Sequence, residues 1–194
     1  MPPSGETRGG FKFRADRLAL DFAATLAKRF HDEPEDLLAT PEDLGRWLMM
    51  AGLAEEDPLP TDEDLAAARA LRESLYRLAI STVDGKPHGS EDLARVNRWA
   101  AVKPPGPQLG AEGLTWVFED VGSLLAAVAR DGVELLGGDL AKRIRRCQGT
   151  GCSLLFVDTS RAGARRWCSM ANCGNRAKVR DFRRRQVQGQ DGNA

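Results

Sequence analysis

The four cysteines of this chain, Cys147, Cys152, Cys168 and Cys173, all fall within one 27-residue window near its end, and the first 146 residues contain none. They form two pairs, each with four intervening residues, and fifteen residues separate the pairs. In a reducing compartment such a cluster is a metal site sooner than a disulfide framework. Four thiolates suit a tetrahedral Zn2+, with Zn–S near ~2.3 Å, and four-residue spacing lies at the upper end of the usual ligand range. Ligation by thiolates alone leaves no open position, so the expected metal is one structural zinc. Spacing leaves open an iron–sulfur centre and free or redox thiols.

A unit of about 40 residues buries too little apolar surface to offset its chain entropy, so a metal or cross-links must help. Structural zinc supplies roughly 10–16 kcal/mol in finger peptides. The residues around the ligands read as a treble-clef-like finger. Gly149 and Gly151 permit the tight path that turns Cys147 and Cys152 toward one ion. Leu154–Val157 reads as a strand, Asp158-Thr159-Ser160 as a turn and Arg165-Arg166-Trp167 as the return strand, with Trp167 in the finger's small core. A helix is expected from Asn175 to about Arg185, with Asn175 as its cap and Gly174 giving backbone freedom beside the metal.

Charge separates this segment from the rest. The 28 basic and 28 acidic side chains cancel to zero. Residues 1–140 carry 15 basic and 25 acidic groups, whereas residues 141–185 carry 13 basic groups against Asp158 and Asp181 alone. Such asymmetry marks a nucleic-acid or acidic-partner module. Eleven of those 13 are arginines, whose planar fork suits phosphate oxygens and guanine edges. Lys142, Arg143, Arg145 and Arg146 lead into the finger. The candidate nucleic-acid contacts are Arg161, Arg165 and Arg166 beside the hairpin, and Arg176, Lys178, Arg180, Arg183, Arg184 and Arg185 along the last helix. Helical spacing groups Arg176, Arg180, Arg183 and Arg184 on one broad face. Val179 and Phe182 fall on another and are expected to pack on the hairpin. The bland alternative is a solvated basic face, or one docked on the acidic part. A further expectation is that the acidic part shields the finger until a signal separates them.

The first part reads as a helical domain over 11–140, between a flexible tail at 1–10 and the finger at 141–186, with a second tail at 187–194. The fold class expected is mainly α (α+β). Leu18, Phe22, Leu26 and Phe30 predict one helical stripe, followed by a turn-like Asp32–Asp36. Thr40-Pro41-Glu42-Asp43 and Thr61-Asp62-Glu63-Asp64 are helix starts, and Gly52 and Asp84-Gly85 are stops. Ser90 is read as the cap of a third helix. Leu114–Phe118 is read as pairing with Gln108–Leu109 in a small hairpin, and Leu124–Leu136 as a long apolar helix. Trp47, Trp99 and Trp116 are expected in the core. No stretch approaches the ~18 apolar residues of a membrane span, and the N-terminus lacks an apolar signal core. A cytoplasmic protein without membrane contact is expected.

At the finger the sequence also resembles a known family. Asp158-Thr159-Ser160-Arg161, Arg165-Arg166-Trp167-Cys168-Ser169-Met170 and Cys173-Gly174-Asn175-Arg176 are similar to the CGNR zinc finger. Bacterial proteins described as stress-induced transcription regulators pair that finger with an N-terminal ABATE domain. Leu18-Ala19-Leu20-Asp21-Phe22, Thr40–Trp47 and Ala51-Gly52-Leu53 are similar to that domain. The family often has Asn-Thr after its Leu-Asp-Phe segment; here Ala23-Ala24-Thr25 stands in that place. The resemblance implies zinc ligation by Cys147, Cys152, Cys168 and Cys173, a turn through Gly174, Asn175 and Arg176 into the last helix, DNA binding and transcriptional control. Arg176 has two readings, a phosphate contact or a bond that holds the finger together near the sulfurs.

His31 and His88, the only histidines, form no metal or triad pattern, and no phosphate loop of the P-loop or dinucleotide-binding type appears. His31 with Asp32, Glu33, Glu35 and Asp36 reads as a solvated acidic loop sooner than a cation site. The expectation is therefore a non-enzymatic DNA-binding regulator whose N-terminal domain senses a small ligand or mediates self-association, as in a homodimer. The alternatives are an RNA-binding factor using the same finger, and a small-molecule-binding protein or enzyme with a structural zinc tail.

Overall fold

The chain is described by a computed structural model over residues 6–190 except residue 112, with side chains placed through residue 186. Two expected flexible tails lie partly outside these residues. Within them, Glu6–Arg8 forms strand β1, paired antiparallel with β2 (Phe11–Phe13), and the last helix runs on to Gln190.

A short helix α1 (Leu18–Ala23) follows. The four-residue stripe predicted through Phe30 breaks after one and a half turns. Thr25 donates its hydroxyl to the Phe22 carbonyl at 2.7 Å, Leu26–Ala27 becomes strand β3 against β4 (Glu35–Asp36), and Phe30 is left exposed. Here tertiary pairing overrides periodicity.

Helix α2 (Pro41–Met50) starts with the capping box read from sequence. Thr40 accepts from the Asp43 N–H while Asp43 accepts from the Thr40 N–H. Thr61 and Asp64 do the same for α3 (Asp62–Asp84), which Gly85 closes in the left-handed conformation at φ 63°. Helix α4 (Ser90–Ala101) differs: Gly89 holds the cap position and Ser90 is already helical, with no side-chain cap. The predicted hairpin is present as β5 (Gly106–Gly110) and β6 (Gly113–Val117), with Gln108 opposite Thr115. It projects into solvent, so Trp116 is 55% exposed, contrary to its expected core position. Helix α5 (Val121–Gly137) then crosses the domain, capped by Asp120 through the Ser123 N–H.

Helices α1–α5 enclose one apolar core. Trp47 sits at its centre, fully buried, with the Phe22 ring centroid 4.8 Å away and Phe13 at 6.1 Å. Leu44, Leu48, Leu71, Leu75, Leu78, Leu124 and Leu125 complete it. Trp99 packs half-buried on its edge.

The finger follows a 3-10 turn at Asp139–Arg143. Strands β7 (Ile144–Arg146) and β8 (Leu155–Val157) pair antiparallel, Ile144 opposite Val157. The return strand expected at Arg165–Trp167 does not form; β7, before the first cysteine, is the partner of β8, and the segment 158–169 is irregular. Strand β8 is buried at all three positions. Its side chains join Ile144 and Leu154 with Ala15, Leu20, Ala79 and Leu135 of the preceding domain in a second continuous core. The finger therefore shares a core with the N-terminal part. The fold is mainly α with small β-hairpins and a C-terminal zinc finger. Among the described residues no helix is long and apolar enough to cross a membrane.

Candidate metal centre and basic helix

The hairpin tip and the start of the last helix converge on four sulfurs. Cys147 follows β7 directly, and Cys152 ends a knuckle closed by the Cys152 N–H bonding the Gly149 carbonyl at 3.0 Å. Cys168 precedes, and Cys173 lies within, a wide helical turn, Met170–Gly174, that runs into α6 (Asn175–Gln190). Asn175 is thus already helical and is not the expected cap; its side-chain amide donates to the Ala171 carbonyl at 3.3 Å.

All four Sγ atoms lie within 4.8 Å of one another. The Cys152–Cys168 and Cys168–Cys173 separations are 4.0 and 3.7 Å. Sulfurs ~2.3 Å from a tetrahedral zinc stand about 3.8 Å apart, so the donor set fits that ion. Two backbone N–H groups, of Gly149 at 3.4 Å and Cys168 at 3.3 Å, point at Cys147 Sγ, as a thiolate requires. Hydrogen bonds from the Cys152 and Cys168 thiols, aided by those backbone groups, push Cys147 down to about 2. Cys168 moves up through its bonds with Cys147 and Cys152, and burial followed by the neighbouring thiolates pushes Cys173 up to about 11. Four thiolates this close repel one another; a dication between them removes that conflict. The knuckle is built for close approach: a Cβ on Gly149 would lie 2.8 Å from Cys173 Sγ, and Gly151 sits at φ 70° with a Cβ position 2.5 Å from His31 Nε2.

The predicted basic residues divide into two sets. Arg165 is occupied internally. Its guanidinium pairs with Asp16, donates to the carbonyls of Arg14 at 3.0 Å, Cys168 at 2.7 Å and Trp167 at 3.1 Å, and lies 4.4 Å over the Phe156 ring. It fastens the finger to the N-terminal part. Its backbone N–H, with Ser160, also holds the fully buried Asp158. Burial pushes the Asp158 carboxyl up, but these hydrogen bonds and the charge of Arg143 outweigh it and leave it below the usual range. Arg166 stacks on Trp167 at 4.7 Å and donates to Gln148 at 2.7 Å, and half-buried Trp167 packs on the second core. Arg161 is exposed at the loop.

Along α6, Arg176, Lys178, Arg180, Arg183, Arg184 and Arg185 are exposed. Arg180 bonds the Thr150 hydroxyl, and Arg184 and Arg185 contact Asp181. Val179 and Phe182 do not pack on the hairpin as expected: they are 49% and 58% exposed. Among the described side chains of this helix Ala177 alone is buried, because the hairpin's apolar face is already taken by the N-terminal part.

Sequence reasoning missed the residues that receive the finger. Val157 N–H bonds the Ala15 carbonyl at 2.9 Å, Arg146 pairs with Asp84 at 2.6 Å, and His31 Nε2 donates to the Gly151 carbonyl at 3.2 Å. These partners lie more than 60 positions away in the chain, with no local signal.

A family model described as "Putative stress-induced transcription regulator", ABATE, matches residues 16–139, and the CGNR zinc finger matches residues 143–186. The chain belongs to the ABATE family. Its four cysteines hold one structural zinc, as the finger family and their clustering require. No curated protein matches the chain. In this ABATE protein Ala23 and Thr25, at the departure from the family's Asn-Thr, are buried and Ala24 is half-buried.

Proposed function

We propose that this ABATE protein is a cytoplasmic, non-enzymatic transcription regulator that binds DNA through its zinc finger and α6, with the N-terminal domain acting as ligand sensor or self-association unit. The observation that carries it is α6: six exposed cations on a helix rooted at the metal centre. Such a helix suits a major groove or a phosphate backbone. Both histidines are engaged in structural contacts, His31 with Gly151 and His88 with Thr82 at 2.9 Å, which supports a non-catalytic reading.

Genomic fragments captured at physiological salt, with Cys173→Ser as control, test it. Specific fragments lost in the variant are expected, with affinity falling steeply as salt rises. Arg183→Glu/Arg184→Glu is expected to weaken binding at least about tenfold and to lower the salt slope by about 2. No enrichment overturns the reading. Exposed Phe182 and Val179 beside the cations favour one second reading, RNA, because unpaired bases stack on such side chains. Tighter binding to single-stranded RNA than to duplex DNA, lost in Phe182→Ala, would select it.

A further inference from the structure

Where the finger meets the N-terminal part, a cleft of about 490 Å³ opens beside the metal centre. Its walls come from both sides. Lys12 on β2, Arg14 and Lys28 stand on one wall, Arg176 and Arg180 of α6 on the other, and Leu154 and Ala177 contribute apolar surface. No carboxylate is among the described residues that line it. A zinc with four thiolates carries two negative charges, so five cations leave an excess of positive charge. Some are partly engaged: Lys28 pairs with Glu35 at 3.2 Å, and Arg14 donates to the Thr7 hydroxyl at 2.6 Å. Arg14 Nε, however, is buried without a hydrogen-bond partner among the described residues. Like charges gathered in a concave site cost energy unless an anion answers them. The volume lies in the range of small-molecule sites and is far too small for a duplex.

We propose that this cleft binds a small, doubly charged anion on a compact organic body, a phosphomonoester or a dicarboxylate, and that its occupation draws Arg176 and Arg180 away from nucleic acid. The binding stands on the cleft alone; the competition rests on the DNA-binding reading above. An anion bridging both walls turns the cations of α6 inward, which lowers affinity for DNA in the direction a repressor releasing its target would need.

The test is calorimetric titration of the zinc-loaded full chain with inorganic phosphate, glycerol 3-phosphate and succinate, with zinc content measured before and after. One equivalent of at least one organic anion is expected to bind, and the phosphate and carboxylate arms decide which head group is preferred. Lys12→Glu/Lys28→Glu should weaken it at least about tenfold, and Lys12→Gln/Lys28→Gln by less. The control Lys86→Glu/Lys103→Glu, with the same charge change away from the cleft, should bind as the parent does. No binding of any of the three anions, or equal loss in both glutamate variants, overturns the site. With the site established, saturating anion should weaken DNA binding of the parent and not of Lys12→Glu/Lys28→Glu. Failure of that arm alone overturns the competition, and absence of any DNA binding overturns the earlier reading while the calorimetry still decides the site.

Discussion

The guanidinium of Arg165 touches five partners: Asp16, three backbone carbonyls and the Phe156 ring. Removing it leaves half-buried Asp16 and those carbonyls without their donor. Arg165→Ala should therefore cost about 2–4 kcal/mol, read as a lowered urea midpoint. Arg166→Ala, which loses only the exposed hydrogen bond to Gln148 and the stack on Trp167, should cost about 1 kcal/mol or less. Asp21 makes a pH prediction. Its Oδ1 accepts the N–H groups of Arg14 at 2.8 Å and Ala15 at 2.9 Å. Burial nonetheless dominates, and with the nearby charges of Asp16 and Asp131 it raises the carboxyl to about 7. A folded-state value above the unfolded one means the folded state holds the proton longer. Its stabilising contribution is complete below about pH 4 and is lost as pH rises through about 7. Asp21→Asn keeps an acceptor for both N–H groups and removes the titration. The variant should gain stability relative to the parent between pH 4 and 8, by up to about 4 kcal/mol, in urea melts across that range. That Arg165 and Asp21 are structural was hidden in the sequence, where one reads as a cation in a basic run and the other as part of a Leu-Asp-Phe segment. Their partners are set by the docking of the finger.

At the scale of elements, the knuckle was legible because its chemistry is local. Two cysteines around Gly149 and Gly151 state a turn and a metal together. A methyl group at position 149 would meet Cys173 Sγ at 2.8 Å. Gly149→Ala should weaken zinc binding at least about tenfold in a chelator competition, because a misplaced ligand forfeits ideal coordination. The helix starts at Thr40 and Thr61 were equally legible, since a capping box is completed within four residues. Two elements were not. The strand expected at Arg165–Trp167 has the right residues for pairing, yet β8 takes β7 and the segment is used to reach Asp158 and Asp16. Helix α6 was read as amphipathic with Val179 and Phe182 inward; both are exposed because the hairpin face they would cover is buried elsewhere. Periodicity reports which residues share a face and not which neighbour that face meets.

For the whole molecule, the shared core has a thermodynamic consequence. Ala15, Leu20, Ala79 and Leu135 pack against Ile144 and Leu154–Val157. Loss of zinc should then destabilise the chain beyond the finger. A chelated sample is expected to release one equivalent of zinc and to melt at lower temperature in calorimetry, without a high-temperature transition for residues 11–140 at its original position. A truncation ending at residue 140 uncovers Leu20 and Leu135 and should be less stable than the full chain and prone to aggregate. An N-terminal part that melts unchanged in both samples would refute the shared core. For the same reason the acidic part does not shield the finger as a detachable lid: α6 already stands exposed on the fused body. The sequence by itself determined the four clustered thiols, the mainly helical composition and the segregation of charge, because thiol spacing, caps and side-chain charge act within a few residues of chain. The tertiary structure alone decided that the finger shares a core with its neighbour, that Arg165 is a fastening and not a free cation, and that a basic cleft lies at the junction. Those depend on which distant surfaces bury one another, and burial is a property of the assembled molecule.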